Sequence, residues 1–152
     1  MDENHPPLAE ESYSVSKLIL EAQADCIARA NPDIHIASIR PHFVADKKPT
    51  LPVEGEVRKD LWGWINSQAV ARAFFLGLEM KERGLPGHEA FYIVGPEHCC
   101  DGSVARDLAK RFYPDTALKT ELGPKQGFFS CMKAERMLGW KHEGGAAPVG
   151  NW

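Results

Sequence analysis

Tyr13-Ser14-Val15-Ser16-Lys17 holds the residues of this chain best suited to moving a proton. Four residues apart on a helix, a tyrosine and a lysine share one face, so the ammonium lies within reach of the phenol. A free tyrosine releases its proton only near pH ~10, too high for transfer at neutral pH. A nearby positive charge favours the phenolate and lowers that value, which makes the pair a general acid/base. The same spacing also describes an exposed first-turn tyrosine beside a solvated lysine that pairs with Glu21.

Other candidates are weaker. Arg40 suits a phosphate or a structural ion pair, and Trp62 and Trp64 suit either stacking on a base or anchoring a small lobe. The four cysteines (Cys26, Cys99, Cys100 and Cys131) show no C-x-x-C spacing. His98 stands beside two of them, but two further ligands at metal-binding spacing are missing, so no metal is expected. Reduced thiols are the expectation, and with them a cytoplasmic protein.

The proton-transfer pair needs a helix to hold it, and residues 12–31 supply one, with Ser12 as the expected N-cap and Asn31-Pro32 as the stop. Its apolar residues cover more than one stripe, which calls for partners on two sides. Ile34 to Ile39, bounded by prolines, reads as a strand, and helix, turn, apolar strand is the second half of a βαβ unit. A proline- and lysine-rich loop fills 41–60; a loop of that length is usually functional or mobile. Leu61 to Asn66 reads as strand-like, and Ser67 to Arg83 as a helix capped by Ser67 and closed by Gly84. Ala90 to Val94 is a further strand, Gly102 or Ser103 opens a helix to Tyr113, and Ala117 to Thr120 is a last strand. Cys131 to Leu138 is a short helix ended by Gly139.

With 43% hydrophobic and 26% charged residues over 152, the chain has the composition of one ordinary globular domain. A net charge of −3 with scattered lysines and arginines gives no footprint for nucleic acid or an anionic membrane. No apolar run approaches the ~20 residues of a membrane span, and the acidic, polar N-terminus is no signal peptide.

Several segments in order carry a family resemblance. Asp2-Glu3-Asn4-His5-Pro6 followed by Glu11-Ser12-Tyr13-Ser14-Val15-Ser16-Lys17 resembles the region around the catalytic tyrosine of extended short-chain dehydrogenases/reductases, the NAD-dependent epimerase/dehydratase family. Ser38-Ile39-Arg40-Pro41 is similar to that family's Leu-Arg-Pro turn beside the nicotinamide. Leu61 to Asn66 followed by Val70-Ala71-Arg72-Ala73 resembles its strand and V-A-x-A helix. Phe91-Tyr92-Ile93-Val94-Gly95 resembles its x-Y-N-I-G strand, and Lys133 to Trp140 its K-A-x-x-x-L-G-W element. The likeness runs over almost the whole chain, but only over the C-terminal half of the family fold.

The resemblance implies a partial Rossmann-like, doubly wound α/β domain over 1–143, without its N-terminal dinucleotide-binding half and with a small C-terminal α/β substrate lobe; 144–152 is expected to be a disordered tail. It implies hydride transfer with NAD or NADP, Tyr13 and Lys17 being catalytic and Lys17 also bonding the nicotinamide ribose. Pro41 and His42 join them at the cofactor, His42 being otherwise a polar substrate ligand or a surface histidine at a loop start, and Phe43 falls at the substrate. The glycine-rich fingerprint and the family's Ser/Thr partner have no counterpart, so this Tyr-x-x-x-Lys pair stands without its cradle. Where the family often has a substrate-binding asparagine stand His42, Phe43 and Val44, and Ala69 replaces a common aspartate. The substrate is then a small molecule, a nucleotide sugar or another carbonyl/hydroxyl compound, and a homodimer through the Tyr13–Lys17 helix is in keeping with the family. The alternative is a non-catalytic truncated remnant or partner-binding fragment.

Overall fold

A computed structural model of the chain describes residues 1–85 and 87–142; the expected tail at 144–152 lies outside them. Among the described residues the architecture is a small mixed α/β one, with four α-helices and a two-stranded parallel sheet. In chain order the elements are α1 (Ser12–Ala30), β1 (Ile36–Pro41), α2 (Ser67–Leu78), β2 (His88–Ile93), α3 (Ala105–Phe112) and α4 (Met132–Leu138). β1 and β2 pair from Ile36 opposite His88 to Pro41 opposite Ile93. Parallel strands need a crossover, and α2 is part of it.

Strand alternation sorts the sheet into two unlike faces. Ala37 and Ile39 point at α2, where Gly77 lets the helix come so close that an added Cβ would lie 2.9 Å from the Ala37 methyl. Phe91 and Ile93 join Ile65, Ala69, Ala73, Met80, Ala134, Leu138 and Trp140 in one buried cluster on that side. The opposite face carries Ser38 and Arg40 from β1 and His88 and Tyr92 from β2, and α1 lies over it. Only Ala24 and Ala28 of α1 are buried. One face is held by a hydrophobic core and the other chiefly by polar contacts. A second apolar cluster, with Trp62, Cys100 and Leu108 at its centre, lies under the 51–62 loop against α3.

The outer edge of β2 is covered by side chains. Lys133 Nζ donates to the Ala90 carbonyl at 2.8 Å, the Tyr92 amide donates to Glu3 Oε1 at 2.8 Å, and the Val94 amide meets Cys131 Sγ at 3.4 Å. On β1 the Ile36 and His42 amides bond toward β2, so those of Ala37 and Ile39 point to the other edge. Among the described residues these two have no partner.

Several elements differ from the sequence expectations; β2 begins at His88, two residues before Ala90, and α3 begins only at Ala105. Glu11, not Ser12, is the N-cap of α1, its carboxylate accepting from the Ser14 amide at 3.1 Å. β1 begins two residues later than Ile34 and runs on through Arg40-Pro41, because the register with β2 continues to Ile93. Asn66, not Ser67, caps α2, its Oδ1 accepting from the Ala69 amide at 2.7 Å, and the helix stops at Leu78 before the turn that Gly84 closes at φ 65°. Leu61 to Asn66 is not a strand: Leu61 and Trp62 have φ of 51° and 50°, a left-handed turn that drives the Trp62 ring inward. Only Ile65 of that segment makes a bridge, to Val44. Ala117 to Thr120 forms no strand either; it is exposed, and the edge of β2 is already occupied by Glu3, Lys133 and Cys131.

Candidate functional site

α1 runs antiparallel to β1, since Asp25 meets His88 beside Ser38 while Glu21, one turn earlier, meets Arg40. The N-terminal turn of α1 and the C-terminal end of β1 therefore lie at one end of the unit. Tyr13, Lys17, Pro41, His42 and Phe43 all belong to that end.

Tyr13 and Lys17 share a face as their spacing demands, but the ammonium sits over the ring, with Nζ 4.9 Å from the ring centroid. Tyr13 is 66% exposed, and its hydroxyl has no hydrogen-bond partner among the described residues. Glu21 is not available to Lys17. It binds Arg40, which settles Arg40 as a structural ion pair and not a free phosphate ligand. That carboxylate is the main reason the Arg40 guanidinium is held above its ordinary pKa.

His42 is fixed on both sides of its ring. The Phe43 amide donates to Nδ1 at 2.7 Å, so Nε2 carries the proton and donates to the Asp60 carbonyl at 2.8 Å. Burial lowers its pKa, and the neutral ring is the form these bonds require. Gly63 is the floor beneath it: a Cβ there would lie 2.8 Å from the imidazole. Pro41 is exposed, and Phe43 is 57% exposed while its carbonyl accepts the Ile65 amide.

Phe129 is a neighbour that no motif or spacing signals. Its ring lies 5.1 Å from that of His42 and 5.4 Å from that of Tyr92, both edge-on, and Arg40 lies over Tyr92 at 5.3 Å. A run of contacts thus passes from the His42 loop across Phe129, Tyr92 and Arg40 to Glu21 on α1.

Exposed Tyr13 and Lys17 fit the ribose-and-nicotinamide end of a dinucleotide, where hydroxyl and ammonium groups are needed. For the pyrophosphate end nothing fits: among the described residues no strand runs through a glycine-rich turn into a helix N-terminus. Three of the four cysteines serve packing, and Cys26 is exposed. Burial pushes the Cys99, Cys100 and Cys131 thiols up to about 11, and His98 is occupied by the Cys100 amide at 3.2 Å and the Pro124 carbonyl at 3.3 Å. Among the described residues no three His, Cys, Asp or Glu side chains converge as a metal site, and no helix is long and apolar enough to cross a membrane.

No family model matches the chain, and no curated protein matches it.

Proposed function

We propose that the chain is the proton-transfer portion of an NAD(P)-dependent epimerase/dehydratase or reductase-like oxidoreductase, Rossmann-like in fold, with Tyr13 as acid/base and Lys17 as its cationic partner. The observation that carries this reading is the Tyr13–Lys17 pair itself, together on one helical face with the phenol open to solvent at the end where β1 finishes. Tyr13 takes the proton of a substrate hydroxyl, or returns one to a carbonyl, and Lys17 stabilises the phenolate between the two steps. A nicotinamide, when bound, supplies the hydride acceptor or donor. Pro41, His42 and Phe43 border the same end; with both His42 nitrogens occupied, the exposed surfaces of Pro41 and Phe43 are what this loop offers to ring and substrate. The substrate class is a small carbonyl or hydroxyl compound, and the setting is cytoplasmic.

The open β1 edge supports a second reading, a partner-binding module without chemistry of its own. Both readings predict that the open edge of β1 pairs with a strand supplied from elsewhere, and the enzyme reading makes dinucleotide binding depend on it. The experiment adds a separate polypeptide carrying a glycine-rich strand–turn–helix unit and follows NADH absorbance with a panel of nucleotide sugars, aldehydes and ketones. The enzyme reading expects turnover that falls at least ~10²-fold in Tyr13→Phe and in Lys17→Ala. Turnover indifferent to both substitutions, or association with no turnover at all, overturns it; the second outcome leaves the binding module.

A further inference from the structure

On the polar face of the sheet three side chains from three elements form one hydrogen-bonded row. Ser38 Oγ on β1 lies 2.8 Å from His88 Nε2 on β2, and His88 Nδ1 lies 2.7 Å from Asp25 Oδ1 on α1. A carboxylate oxygen only accepts, so in the neutral imidazole Nδ1 carries the proton and Nε2 accepts the Ser38 hydroxyl. That is the tautomer a serine nucleophile needs from its base. The His88 side chain is 6% exposed, so α1 and the strands fix its orientation, while Asp25 is 53% exposed. Ser38 is half-buried and lies between Ala37 and Ile39, whose amides point to the open edge of β1. The row stands twelve residues along α1 from Tyr13, roughly 18 Å at 1.5 Å per residue, so it is separate from the site above.

We propose that Ser38, His88 and Asp25 form an acyl-transfer centre acting on small esters that approach over the open edge of β1. Ser38 Oγ attacks the ester carbonyl carbon as its proton passes to His88 Nε2. The Ile39 amide, one peptide on, donates to the developing oxyanion. The carbon–oxygen bond to the leaving alcohol then breaks, and that alcohol takes the proton from Nε2. Water, deprotonated by His88, releases the acid and regenerates Ser38. Asp25 touches no reacting atom; it is a positioning residue that holds the imidazole and stabilises its charged form.

The test treats the whole chain with a fluorophosphonate probe, whose phosphorus bonds to a serine oxygen as fluoride leaves, and locates the adduct by peptide mass spectrometry. The expected result is an adduct on Ser38, a burst of p-nitrophenol from p-nitrophenyl acetate, and loss of both in Ser38→Ala but not in Ser103→Ala. His88→Gln lowers the labelling rate at least ~10²-fold. Asp25→Asn lowers it and changes its pH profile, and Asp25→Glu restores much of both. Circular dichroism reports whether α1 stays folded, and Asp25, the most exposed of the three, supplies the variant least able to disturb it. An adduct elsewhere, no adduct, or a Ser38 adduct that forms at an unchanged rate in a folded His88→Gln or Asp25→Asn protein overturns the proposal.

Discussion

Arg40 and Glu21 meet through two parallel hydrogen bonds, Nε to Oε1 at 2.7 Å and Nη2 to Oε2 at 2.5 Å. The fork joins the last residues of β1 to the middle of α1, and the Tyr92 ring lies under the guanidinium. Both side chains are about a quarter exposed, at 25% and 24%, so the pair is worth more than a fully solvated one and less than a buried one. Glu21→Ala and Arg40→Ala should each cost about 1 kcal/mol in urea unfolding, and the double variant should cost clearly less than their sum. Additive losses would mean the two residues act independently.

The four cysteines should separate cleanly under alkylation. Cys26 is exposed on α1, Cys99 and Cys100 are buried, and Cys131 is half-buried. At pH 8 a thiol whose pKa is pushed up to about 11 is a thiolate in roughly one molecule in a thousand. Iodoacetamide on the native protein should therefore modify Cys26 alone, and the other three should react once denaturant is added. Native-state labelling at Cys99 or Cys100 would contradict this packing.

Stability should fall on mild acidification. Burial is the leading cause that lowers the pKa of His42, His98 and His142 from the ordinary 6.5. Above about pH 6.5 these histidines are neutral folded and unfolded, and they cost nothing. Below it the unfolded chain takes up protons first, so stability is lost progressively until the folded pKa values are passed. The urea midpoint should be lower at pH 5.5 than at pH 7.5. His42→Gln should flatten that dependence by removing one of the three groups.

α1 leaves Val15 and Ile19 43% and 54% exposed, one turn apart on the side away from the sheet. An apolar stripe on a helix fits a second helix, and the homodimer the family resemblance implies would use it. Sedimentation of the wild type should show concentration-dependent association that Ile19→Lys reduces at least tenfold, without loss of helical signal. A monomer at all concentrations would remove this helix as an interface.

What could be read ahead of the structure was what depends on neighbours in the sequence. The helix 12–31 was legible because its apolar residues and Asn31-Pro32 agree, and Gly139 marked the end of α4 with the left-handed φ it adopts, 68°. Leu61 to Asn66 misled because tryptophan is common in strands, whereas here burial of the Trp62 ring against Phe112 and Phe128 outweighs local preference and bends the backbone. At the site, the Tyr13–Lys17 proximity followed from helical geometry alone. The occupation of His42 by Asp60 and Phe43, and its contact with Phe129, depended on how the loops close. Asp25, Ser38 and His88 have no spacing that signals anything; only the parallel register, which sets Ser38 opposite Ala90 with His88 two residues before it, brings them together.

The unlike faces of the sheet also bear on how the molecule opens. α2 and α4 are bonded to β1 and β2 by a shared apolar core, whereas α1 rests on two alanines, one ion-pair fork and the Ser38–His88–Asp25 row. Cooperative units divide where packing is thinnest, so α1 is the piece that detaches first. Its amides should exchange with solvent deuterium through a local release that leaves the rest intact. Anything that binds the Tyr13 end then also sets how firmly that helix is seated.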